Sequence, residues 1–75
     1  MNISKIIGAN LKEARKFKGL TQKDVAESLY MTQQQYSSFE VGKFELNYIQ
    51  ILTLCKLLDV TPNEIFDVGD NSISY

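Results

Sequence analysis

Thr21-Gln22-Lys23-Asp24-Val25-Ala26-Glu27-Ser28-Leu29-Tyr30-Met31-Thr32-Gln33-Gln34-Gln35-Tyr36-Ser37-Ser38-Phe39-Glu40 holds two helix starts in close succession. Thr21 reads as an N-cap, with Asp24 three positions on as a short version of the reciprocating partner in a capping box. A helix over residues 22–29 then buries Val25, Ala26 and Leu29. Only Tyr30 and Met31 precede Thr32, the next cap, and a helix over residues 33–40 ends before Gly42. Two short helices joined by so tight a turn form one supersecondary unit.

Outward from this pair the chain stays helical. Upstream, Ile3, Ile7, Leu11, Ala14 and Phe17 fall within an arc of about 120° on a helix over residues 3–18, with Lys5, Lys12 and Lys16 opposite. Gly19 suits the left-handed residue that ends such a helix. Downstream, Asn47 caps a helix over residues 48–58 whose apolar stripe is Tyr48, Ile51, Leu52, Leu54, Cys55 and Leu58. Thr61-Pro62-Asn63-Glu64 combines a cap, a proline at the first helical position and a glutamate at the third, and starts a short helix over residues 62–66. No strand-like alternation, repeat or linker interrupts the pattern. The expectation is an all-α domain of five helices over residues 1–67, with residues 68–75 as a tail.

Composition narrows the chemistry. The 75 residues include no histidine and one cysteine, with 44% hydrophobic and 23% charged residues. Zinc sites and Ser-His-Asp or Cys-His catalysis lack their parts, so neither an enzyme nor a metal or cofactor protein is expected. A lone thiol forms no internal disulfide, which fits a reducing cytoplasm. No apolar run approaches the roughly 20 residues that cross a bilayer, and the N-terminus lacks a signal-peptide core. The net charge is −1, but residues 1–23 carry six basic side chains against Glu13 alone, while residues 24–75 carry two against eight acids. The first third can present a positive face that the overall charge conceals.

The central pair has the form called helix-turn-helix. The stretch from Ile7 to Phe66 resembles the phage-repressor-like (XRE) family, which includes the lambdoid Cro proteins and repressors. The resemblance is carried by Ile7-Gly8, Leu11-Lys12, Arg15, Gly19-Leu20-Thr21-Gln22, Val25-Ala26, Leu29, Thr32, Tyr36-Ser37, Phe39-Glu40 and Gly42-Lys43, with Ile51, Leu58, Val60, Glu64 and Phe66 closing it. It departs from the family at Tyr30, where glycine is usual in the turn, and at Leu46, where proline is frequent. A tyrosine in that turn must avoid the left-handed conformation or bear its strain.

The resemblance implies a lambda-repressor-like DNA-binding domain whose third helix, residues 33–40, lies in the major groove of double-stranded DNA. Gln33, Gln34 and Ser38 would face the bases; a glutamine amide can pair N6 and N7 of adenine at once. Gln22, Lys23, Thr32, Gln35, Ser37, Lys43, Phe44 and Asn47 would lie along the phosphates, Asn47 through its backbone amide. Arg15 and Glu40 would form an ion pair between the first and third helices. Tyr36, Phe39 and Cys55 read as core.

One module touches few base pairs, so a homodimer on a palindrome with half-sites about 34 Å apart is the expected mode. Leu57, Thr61, Pro62, Ile73 and Tyr75 are the candidate dimer surface. The function expected is that of a sequence-specific transcriptional regulator, a repressor or a controller of restriction-modification genes. The alternative is an antitoxin or another protein-interaction module working through its acidic C-terminal half.

Overall fold

A computed structural model describes residues 2–69. Five helices follow in order: α1 (Ile3–Phe17), α2 (Gln22–Ser28), α3 (Gln33–Glu40), α4 (Tyr48–Leu58) and α5 (Pro62–Ile65). Among the described residues there is no strand. The expected boundaries hold to within one residue, because each start is set by a local hydrogen-bonding device.

That device is the capping box, formed at four of the five starts. Thr21 pairs with Asp24, Thr32 with Gln35, Asn47 with Gln50 and Thr61 with Glu64. In each, the cap side chain accepts from the backbone N–H three residues on, and that residue's side chain accepts from the cap N–H. α1 has half of the arrangement: Asn2 Oδ1 accepts from Lys5 N–H at 3.1 Å.

The ends of α1 to α4 share a second device. Gly19, Tyr30, Gly42 and Asp59 all have positive φ, at 77°, 57°, 79° and 56°. Each reverses the chain so that the next amide returns to the helix: Leu20 to Arg15 O, Met31 to Ala26 O, Lys43 to Ser38 O and Val60 to Cys55 O, at 2.9–3.1 Å. This satisfies carbonyls that a helix end would otherwise orphan. Tyr30 thus takes the left-handed conformation that its side chain disfavours, because closing the turn in two residues requires it.

Leu11, Val25, Ala26, Tyr36, Leu54, Cys55, Leu58 and Ile65 form the buried core. Phe39 packs against it half-buried. Asn10 ties the end of α5 to α1, its Nδ2 donating to the carbonyls of Ile65 and Asp67 at 2.9 Å each. Gly8 lets α3 approach closely, since a Cβ there would meet the carbonyl oxygens of Phe39 and Glu40.

Four apolar residues assigned to buried stripes lie outside, Ile3 among them at 45% exposed in the first turn of α1. Phe17 is 95% exposed, Tyr48 85% and Leu52 57%. Phe17 stands about 120° from Leu11 around α1, whose buried arc turns the other way, toward Gly8 and Arg15. On α4, Leu52 lies about 160° from Leu54 and Tyr48 about 120°. The core covers only the narrower sector around Leu54 and Leu58. Phe66, expected in the last helix, is its C-cap and is partly exposed.

Candidate nucleic-acid interface

α3 packs by Tyr36 and Glu40 and turns its opposite side outward. Gln33, Gln34 and Gln35 are exposed at its N-terminal end, and Ser37 and Ser38 are half-buried along it. The three amides are not equivalent. Gln35 Oε1 accepts from Thr32 N–H at 2.9 Å, and Thr32 Oγ1 accepts from Gln35 N–H at 3.1 Å, so both residues are committed to the cap. Gln33 and Gln34 have free carboxamides among the described residues. Ser38 Oγ donates to Gln34 O at 3.0 Å, which spends its proton inside the helix and leaves only acceptor capacity.

The flanking cations and amides surround this face. Lys23 is exposed in the first turn of α2. Gln22 is half-buried, and its Nε2 donates to Glu40 Oε1 at 3.1 Å, leaving one amide proton for a further acceptor. Lys43 and Phe44 are exposed in the loop after α3, with Lys43 Nζ 5.7 Å from the Phe44 ring centroid. Asn47 differs from its expected role. Its backbone amide, assigned to a phosphate, donates to Gln50 Oε1 at 2.9 Å. The reciprocal capping box consumes it, and a phosphate contact there would require giving up that bond.

Beneath the face, Arg15 Nε donates to Glu40 Oε2 at 2.7 Å and Nη2 to Oε1 at 3.2 Å. Arg15 Nη1 also donates to Leu20 O at 2.8 Å. Burial pushes the Glu40 carboxyl up, but the hydrogen bonds from Arg15 and Gln22 and the Arg15 charge outweigh it and hold the acid below its ordinary range. The hydrogen bond to Glu40 raises Arg15 further, so both stay charged. Desolvation pushes the Tyr36 phenol far above its ordinary value. Its Oη is buried beside the pair but makes no hydrogen bond of good geometry.

On the far side, Thr61 and Pro62 are exposed and Leu57 is half-buried against the core. Ile73 and Tyr75 lie outside the described residues. Sequence reasoning passed over Gln50 and Tyr30, which border the same surface as Gln35 and Phe44. Gln50 carried a local signal, as the third residue after the Asn47 cap. Nothing local placed Tyr30 there. Among the described residues, no helix is long and apolar enough to cross a membrane.

Two short helices set by tandem capping boxes, the second displaying free amides, form a helix-turn-helix unit. Residues 8–70 match the family described as the helix-turn-helix domain. The uncharacterized HTH-type transcriptional regulator YqaE of Bacillus subtilis is 38% identical over 52 residues, or 69% of this chain and 45% of that protein. The uncharacterized HTH-type transcriptional regulator y4dJ of Sinorhizobium fredii is 32% identical over 72 residues, 96% of this chain and 94% of its own length. The chain spans less than half of the first relative and nearly all of the second.

Among solved structures, the restriction-modification controller protein C.AhdI of Aeromonas hydrophila is similar with a TM-score of 0.72 and 32% identity, covering 80% of this chain and 87% of that one. The clp gene regulator ClgR of Corynebacterium glutamicum shares the fold, with a TM-score of 0.76 and 24% identity over 84% of this chain and 82% of its own. The chain belongs to the helix-turn-helix family of DNA-binding transcriptional regulators, of XRE-like fold.

Proposed function

We propose that the chain is a sequence-specific transcriptional regulator that reads double-stranded DNA with α3, two copies acting on a palindromic site as a repressor or controller. The observation that carries this reading is the state of Gln33 and Gln34. Both are exposed, uncommitted to capping, and carried on a helix braced from behind by Arg15 and Glu40. Such pre-positioned amides suit adenine edges, each bidentate pair discriminating by about 1–3 kcal/mol. Ser38, as an acceptor, suits an exocyclic amino group. Gln22, Lys23, Ser37, Lys43 and Phe44 would lie along the backbone, with Thr32 and Gln35 at the entry of α3. Leu57, Thr61 and Pro62 remain the candidate dimer surface, extended by Ile49, which is 76% exposed. The likeness to a restriction-modification controller supports the controller reading.

Selection of bound duplexes from a random pool tests it. Wild type should enrich a two-fold site, and Gln33→Ala with Gln34→Ala should relax its inner positions while non-specific binding persists. The same sequence enriched by the double variant would remove α3 as the reader. Lys43→Ala should weaken all duplexes alike and reduce the salt slope by roughly one unit.

A further inference from the structure

The last described residues are rooted on α1. Asn10 Nδ2 holds the carbonyls of Ile65 and Asp67, and Gly69, at positive φ, turns the backbone as its N–H donates to Asp67 Oδ1 at 3.0 Å. Asn10 shares one face of α1 with Ile7 and Ile3. Beside Ile7 and Ile3 opens a groove of about 290 Å³ with a mostly apolar lining. Phe39 of α3, Phe44 and Leu46 of the following loop, and Phe66 at the end of α5 complete its walls. Around it Ile3, Phe44 and Phe66 remain 45%, 57% and 42% exposed. Packing among residues 2–69 leaves this side of the core uncovered, and a contiguous apolar patch marks an interaction surface.

Residues 70–75 lie outside the described structure and read Asp-Asn-Ser-Ile-Ser-Tyr. Ile73 and Tyr75 alternate with serines, so an extended backbone puts both side chains on one face. Residues 71–75 have no charged side chain, and covering the groove with them desolvates no side-chain ion. The reach is sufficient. Asn10 and Ile3 stand about 10 Å apart along α1, and the chain from Asp67 to Ile73 spans up to about 20 Å. A segment tethered beside its groove meets it at an effective concentration on the order of millimolar, well above that of a free partner.

We infer that residues 71–75 lie along this groove of their own chain, with Ile73 and Tyr75 turned into it against Ile3, Phe44 and Phe66. The tail then closes the core on the side that the five helices leave open, and it braces the loop that carries Lys43 and Phe44. The consequence for DNA rests on the function proposed above, whereas the docking does not. Docked there, Ile73 and Tyr75 leave the dimer surface expected from sequence to Leu57, Thr61 and Pro62.

Nuclear Overhauser contacts in the full chain, without DNA, test the docking. The Ile73 methyls should contact the Phe44 or Phe66 ring within one molecule. Ile73→Ser with Tyr75→Ser changes no residue of the helical core, yet the double variant should melt about 4–8 °C lower, the shift that a modest loss of apolar burial gives a domain of this size. Absence of any contact from Ile73 to the groove, or the parent melting temperature in the double variant, would overturn the docking. Contacts found only between isotopically labelled and unlabelled chains would put a second copy's tail in the groove and overturn it equally. The double variant should also bind random duplexes severalfold more weakly. Parent affinity, with the wild-type contacts present, would strike the bracing and leave the tail docked. Absence of duplex binding by wild type would instead count against the proposed function.

Discussion

Arg15 and Glu40 meet in a two-bond fork across 25 positions of sequence, joining the last turn of α1 to the last residue of α3. The pair is buried, at 8% and 6% exposure. Removing one member strands the other's charge, which costs about 3–5 kcal/mol, whereas replacing both with apolar residues of similar volume costs far less. Arg15→Met and Glu40→Leu should each lose about that much in urea denaturation, and the double variant should recover most of it. A double variant whose loss is the sum of the singles would mean that the pair is not coupled.

Acid should weaken the fold through the same residue. Glu40 titrates below its ordinary value near 4.5 in the folded state. A depressed acid stabilises the native state above its unfolded pKa, and that contribution is lost as pH falls through the folded pKa. Asp24, lowered by its hydrogen bonds with Thr21, acts in the same direction at the surface. Melting temperature should hold between neutrality and pH 5 and fall below about pH 4.5, and Glu40→Gln should flatten that fall. An identical acid limb in Glu40→Gln would assign it to other carboxylates.

Gly8→Ala should separate α1 from α3. The added methyl would press on the backbone carbonyls of Phe39 and Glu40, which cannot swing aside as a side chain would. Overpacking of this kind costs about 1–3 kcal/mol. Chemical denaturation should show such a loss, and DNA affinity should drop with it because α3 is displaced. Parent stability would mean that the helices separate freely.

Tyr36→Phe should be neutral or stabilising by up to about 1 kcal/mol, since a buried hydroxyl without a well-formed hydrogen bond contributes little and costs its desolvation. The ring fills the core at 0% exposure, and phenylalanine preserves it. A loss above about 2 kcal/mol in denaturation would show that the hydroxyl supports Glu40.

Helix starts were legible because they are local. Thr21 with Asp24, and Thr61 with Pro62 and Glu64, carry their hydrogen-bond partners within four residues, so spacing alone exposes them. The exposed amides of Gln33 and Gln34 were legible for a related reason: helical periodicity puts them opposite Tyr36. Phe17, Tyr48 and Leu52 were misread because periodicity gives the direction of a side chain but not how wide a sector the neighbouring helices cover.

Sequence alone therefore determined five helices, the N-caps of four of them and the outward face of the third, since these depend on interactions within a few residues. Tertiary structure decided which apolar residues the core reaches, that Arg15 and Glu40 meet, and that Tyr30, Gln35, Phe44 and Gln50 border one groove. Those outcomes depend on how separate helices pack, and a contact between distant segments leaves no periodic trace in the chain.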